Sequence, residues 1–177
     1  PPADCYHKVA DIIAEVNGVY NGSGYRTEAT RKTVLCPKAG NVLFASPKHR
    51  WAFSLLSFAQ MYSKRYGSVK FNVSAFAQRL WGDVFFDETT RKFVVDSDMS
   101  DVSAHRTFVS FVLDPIYKLY AHIIGEEKGE LSVLMADLGI HLKKDDYKLD
   151  PHPLLRRTMK LFFKDTVSCI ADALVSH

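Results

Sequence analysis

The side chains of this chain that could ligate a metal or move a proton are seven histidines, three cysteines and two groups of aspartates. His7, His49, His105, His122, His141, His152 and His177 show no metal-ligand spacing to a cysteine or carboxylate. They are expected as solvated or singly hydrogen-bonded residues. Asp96, Asp98 and Asp101 form one acidic group, Asp145 and Asp146 the other. No D-x-D-x-D-G pattern surrounds either, so solvated loops are expected there and no calcium site. Cys5, Cys36 and Cys169 are odd in number, far apart and free of any C-x-x-C, which points to reduced thiols in an intracellular protein. There is no G-x-x-x-x-G-K-[ST], G-x-G-x-x-G, G-x-S-x-G or H-E-x-x-H. Neither a catalytic residue nor a metal ligand can be assigned.

Basic and aromatic stretches offer binding chemistry instead. Lys48-His49-Arg50 could contact phosphate or RNA, but no aromatic stacking platform accompanies it, and an exposed basic loop is the expectation. Arg156-Arg157 and Lys143-Lys144 read as helix-surface charge, and Trp81-Gly82-Asp83 as a helix end whose aromatic packs on the core. The chain has 23 basic and 20 acidic residues, a net +3 too balanced to argue for nucleic acid by itself. With 47% hydrophobic residues over 177, it can bury a sizeable core. Its apolar runs fall short of the ~20 residues a membrane span requires, and no secretory signal is present. The chain starts at Pro1, not methionine, and is expected to be a piece of something larger.

Elements must position these residues. Proline at the start and Tyr6, Val9, Ile13 and Val16 at spacings of three and four predict a helix to about Val16, ended by Asn17-Gly18. A polar loop is expected to Lys32. The runs Thr33 to Cys36 and Val42 to Ala45 flank Pro37 to Gly40 like a hairpin, with Val42 to Ala45 as a buried strand. Trp51 to Leu55 could be strand or helix start. Helices are expected from Leu56, closed by Gly67, and from Val73 to Leu80, capped by Asn72. Asp83 to Val95 reads as a second hairpin and Asp96 to Ser103 as a loop. The apolar stripe from Phe108 to Ile123 contains Pro115, which predicts a kink or two helices meeting at Asp114. A short helix should end at Gly139, and Pro151-His152-Pro153 should be a stiff link into the next helix. A last helix should follow the cap Asp165, with Val167, Ile170 and Leu174 inward. The fold class is mixed α/β, rich in helix.

A set of stretches in fixed order resembles the translational GTPases related to elongation factor 2. They are Gly40 to Ser46 running into His49 to Leu55, then Phe58 to Tyr62, Leu80-Trp81-Gly82-Asp83, Arg106-Thr107-Phe108, Leu113 to Lys118, Leu138 to Leu142 and Pro153 to Arg156. Single matches of this kind carry little; the ordered set covers nearly the whole chain. Within the family, Pro1 to Lys8, Phe76 to Phe86 and Asp137 to Lys144 look closer to the spliceosomal branch, the elongation factor 2-like GTPase of the U5 small nuclear ribonucleoprotein. His49 to Phe53 and Leu113 to Ile116 look like elongation factor 2 itself.

The resemblance implies a partial GTP-binding domain with an inserted helical and hairpin subdomain. Residues 1–56 would be the C-terminal part of the GTP-binding core, 57–150 the insertion, and 151–177 terminal helices returning to the core. GTP and magnesium would bind the parent protein. The phosphate loop, switches and N-K-x-D motif would lie upstream of Pro1, so this chain by itself would neither bind GTP tightly nor hydrolyse it. Ser46, Pro47 and Lys48 align with the family's guanine-base loop. The family commonly has small residues there, whose backbone N–H meets the guanine oxygen; Pro47 has no N–H and Lys48 is long. The implied partners are the scaffold protein and RNA helicase of the U5 particle, with RNA reached indirectly and no membrane. The implied location is nuclear, or cytoplasmic if the parent is elongation factor 2 acting in ribosomal translocation. A protein-binding module with no enzymatic parent is the remaining alternative.

Overall fold

A computed structural model of the chain describes residues 1–23, 34–65, 72–95, 105–125, 128–163 and 166–176. The described residues form a mixed, helix-rich α/β structure of seven α-helices and two antiparallel two-stranded sheets. Helix α1 (Pro2–Gly22) begins with proline in its first turn, where no N–H is missed, and buries Tyr6. It does not stop at Asn17-Gly18. The Asn17 side chain accepts the N–H of Leu35 at 2.8 Å and donates to its carbonyl at 2.9 Å. An amide so engaged does not turn back on its own backbone, and the helix runs on to Gly22.

Among the described residues, the expected pairing of the run Thr33 to Cys36 with 42–45 does not form over 34–36. Pro37–Ala39 is a single 3₁₀ turn ending at Gly40, whose φ of 83° glycine adopts without strain. The Asn41 side chain closes this loop, accepting from the Cys36 N–H at 2.8 Å and donating to the Val34 carbonyl at 2.9 Å. Strand β1 (Phe44–Ser46) instead pairs with β2 (Trp51–Phe53), placing Phe44 opposite Phe53 and Ser46 opposite Trp51. Val42 to Ala45 is therefore no buried strand. The strand starts at Phe44, and Ala45 is exposed although Ala52, opposite it on the same face, is buried. Trp51 to Leu55 holds both expected elements, since helix α2 (Leu55–Arg65) follows β2 directly. Ser54 and Ser57 cap its start reciprocally, each hydroxyl accepting the other residue's N–H at 3.1 and 2.9 Å.

Helix α3 (Val73–Arg79) is capped as expected: the Asn72 side chain accepts the Ala75 N–H at 3.0 Å. Strands β3 (Val84–Asp87) and β4 (Lys92–Val95) form the expected second hairpin. Asp87 organises its turn by accepting from the Thr89 N–H and the Thr90 hydroxyl at 2.9 and 2.6 Å. The long apolar stripe changes character at Asp114. A π-helical turn, Val109–Leu113, leads into α4 (Asp114–Ile124), and the wider turn accommodates the ring and missing N–H of Pro115. Helix α5 (Lys128–Asp137) ends at Gly139 with φ 60°.

Helix α6 (Pro151–Phe163) contains the sequence expected as a link; Pro151 is its first residue, the position proline suits. Helix α7 (Thr166–Ser176) faces the opposite way from expectation. Val167, Ile170 and Leu174 are 79%, 40% and 78% exposed, and Cys169 is the buried residue. The free edge of β2 sets this rotation: the Ala52 N–H donates to Thr166 Oγ1 at 3.4 Å and its carbonyl accepts from Cys169 Sγ at 3.5 Å. A helix apolar on most of its surface does not reveal by periodicity which face docks. Gly67, Asp165 and the segments 24–33 and 96–104 lie outside the described residues.

One hydrophobic cluster joins these elements, reaching from Tyr6 through Phe58, Leu80, Phe108 and Leu119 to Phe162. Trp81 closes one end, its ring centroid 4.9 Å from Tyr6, 5.5 Å from Phe44 and 5.0 Å from Phe108. Gly82 (φ 94°) then turns the chain so that Asp83 meets Arg106 at 2.9 Å. Trp81-Gly82-Asp83 is thus structural, as its sequence suggested.

A candidate functional site at the tip of the first hairpin

The β1–β2 turn carries Ser46, Pro47, Lys48, His49 and Arg50. Pro47 fits its first corner, with φ preset by the ring. The turn closes through the His49 N–H to the Ser46 carbonyl (3.2 Å) and the Arg50 N–H to the Pro47 carbonyl (3.3 Å). Arg50 takes a left-handed φ of 59°, which lets the chain re-enter β2.

His49 departs from the exposed basic loop expected of Lys48-His49-Arg50. It is 9% exposed and points inward against α4. Its Nδ1 lies 2.7 Å from the Tyr120 hydroxyl and 3.3 Å from Ser46 Oγ. Tyr120 lies 3.4 Å from Trp51 Nε1, which can only donate. Trp51 gives its proton to the Tyr120 oxygen, and the Tyr120 hydroxyl and His49 Nδ1 share a hydrogen bond whose direction is set by the imidazole tautomer. Burial holds the His49 pKa below its usual value, and the positive charges of Lys48, His152 and Arg156 push it the same way. Trp51 stacks on Phe163 at 4.8 Å and so ties the same tip to α6.

The sequence-assigned residues sit as follows. Ser46 ends β1 with its hydroxyl turned to His49; Pro47 and Lys48 form the exposed corner. The Lys48 carbonyl accepts from Arg156 Nε at 3.2 Å, across 108 residues of sequence. Arg156 is therefore more than helix-surface charge, and its neighbour Arg157 is half-buried 3.5 Å from Asp146. Tyr120, His152 and Arg156 were invisible as site residues in the sequence. No local pattern marks them, because only the docking of the hairpin on α4 and α6 brings them to the tip.

His49 Nδ1 is engaged by the Tyr120 hydroxyl at 2.7 Å, closer than Ser46 Oγ at 3.3 Å. No group of three metal-ligating side chains occurs among the described residues. A concavity of about 900 Å³ lies between α2, α3 and the β3–β4 hairpin, walled by Tyr62, Phe76, Phe86, Phe93 and Phe111. No described helix is long and apolar enough to cross a membrane.

No protein-family model matches the chain. Curated proteins do. The chain is 40% identical over its full 177 residues to the 109 kDa U5 small nuclear ribonucleoprotein component GFL of Arabidopsis thaliana, of which it covers 18%. It is 40% identical to the 110 kDa U5 component CLO of the same plant, covering 17%. It is 41% identical to the pre-mRNA-splicing factor cwf10 of Schizosaccharomyces pombe, also covering 17%. The chain thus spans less than a fifth of the length of these relatives. Over its full length it is homologous to a segment of U5 small nuclear ribonucleoprotein components.

Proposed function

We propose that this chain acts as part of an elongation factor 2-like GTPase of the U5 small nuclear ribonucleoprotein, a nucleotide-gated scaffold for pre-mRNA splicing in the nucleus. The observation that carries the reading is the 40% identity, sustained over all 177 residues, to proteins named as U5 components. The names found belong to splicing, and neither ribosomal translocation nor a stand-alone binding module gains support from them. In this reading residues 1–56 and 151–177 belong to a GTP-binding domain and 57–150 to its inserted subdomain. The partners are the particle's scaffold protein and its RNA helicase.

GTP and magnesium belong to the parent protein. Ser46, Pro47 and Lys48 would form its guanine-base loop. Three features of that loop bear on the role. Ser46 Oγ is turned to His49, the His49 and Arg50 amides are bonded within the turn, and Pro47 has no N–H. Contact with the guanine oxygen then falls to the Lys48 amide. The 177-residue chain carries no phosphate loop or magnesium ligand motif to position a triphosphate. Titration with a fluorescent GTP analogue should therefore show no saturable binding at micromolar protein, and micromolar affinity would contradict this. For the splicing role, the tagged chain should recover U5 small nuclear RNA from nuclear extract; recovery of ribosomal RNA in its place would favour the translational reading.

A further inference from the structure

We propose that the β1–β2 tip and the first two turns of α6 form a surface that binds the phosphodiester backbone of RNA directly. This stands apart from the splicing reading, since it rests on the charges of the tip alone.

Lys48 and Arg50 project from the turn; His152 and Arg156 project from α6, and all four are exposed. The two elements are locked together. Arg156 Nε is held on the Lys48 carbonyl, while His49 beneath is anchored to Tyr120. Lys48, His152 and Arg156 all lie close enough to act on the His49 imidazole. Among the described residues, no carboxylate lies within ion-pair distance of Lys48, Arg50, His152 or Arg156. Asp150, next to this helix start in sequence, pairs with none of them. The cluster is therefore preorganised positive charge without a counterion among the described residues.

The chemistry favours phosphate in a nucleic-acid chain. With Nε engaged, the guanidinium of Arg156 keeps both terminal nitrogens for a bidentate contact to phosphate oxygens. Lys48 adds a mobile point charge beside it. Lys48, Arg50, His152 and Arg156 are all exposed at the tip, and a nucleic-acid chain, with a charge at every nucleotide, can engage several of them at once. The nearby rings of Trp51, Tyr120 and Phe163 are turned into the protein and offer no base-stacking face. Binding should therefore follow the backbone and be indifferent to base sequence.

Fluorescence anisotropy with a labelled single-stranded RNA of about 12 nucleotides tests this on the 177-residue chain. Three cations at single-stranded phosphates predict a log–log salt slope of about −2. Lys48→Ala and Arg156→Ala should each weaken binding several-fold at about 50 mM salt and make the slope shallower by roughly 0.7. Lys143→Ala, on the exposed connection after α5, should change neither. Melting temperatures show whether each variant is folded, and Lys48→Arg should restore binding whatever Arg156→Ala does to the tip. The proposal is overturned if the chain binds no RNA at low salt, if Lys143→Ala weakens binding as much, or if polyglutamate of matched charge displaces the RNA equally well.

Discussion

At the scale of single residues, His49 shows how burial alters a basic motif. Two of the three side chains in Lys48-His49-Arg50 face water, while the third is buried and hydrogen-bonded to Tyr120. A histidine whose folded pKa lies below its usual 6.5 resists protonation in the native state. Below pH 6.5 the unfolded chain takes up a proton there and the native one does not, so stability falls as pH drops toward the folded pKa, then levels off. Burial acts first in that direction, and Lys48, His152 and Arg156 push the same way. In His49→Gln, urea unfolding should show a smaller loss of stability between pH 7 and pH 5 than the parent chain does. An unchanged pH profile would show that His49 is not the buried titrating group.

At the scale of elements, short polar side chains decide where helices and loops begin and end. Asn72 does what its sequence position predicts, capping α3. Replacing it with alanine should cost about 1 kcal/mol, read as a lower urea midpoint at unchanged m-value. Asn17 and Asn41 do something their positions did not predict. Each spends both halves of its amide on backbone groups, Asn17 at Leu35 and Asn41 at Cys36 and Val34. Asn17's reach of 18 residues goes with α1 continuing past Gly18, and Asn41's local bonds stand where strand pairing of residues 34–36 was expected.

At the scale of the whole molecule, a single cluster carries side chains from both hairpins, α1, α2, α4 and α6. Trp51 and Trp81 sit against it at the first hairpin and beside α1. Their fluorescence and the far-ultraviolet dichroism should therefore change together in urea, in one cooperative transition. Separate midpoints for the two probes would show that residues 57–150 unfold as their own unit.

The sequence by itself determined the mixed α/β class, the second hairpin, the Asn72 cap, the irregular helical turn before Pro115 and the kinship with splicing components. Each rests on local chemistry or on ordered identities: turn residues between β-branched runs, a capping side chain, a proline without an N–H. Only the tertiary structure decided the partner of β1, the inward face of α7 and the composition of the hairpin tip. The hairpin tip and the inward face of α7 depend on contacts spanning from 71 to 117 residues, such as Tyr120 on His49 and Cys169 on Ala52, while β1 pairs with the next strand along the chain. Periodicity can say that a helix has an apolar side, but the free edge of β2 chose which side of α7 would meet it.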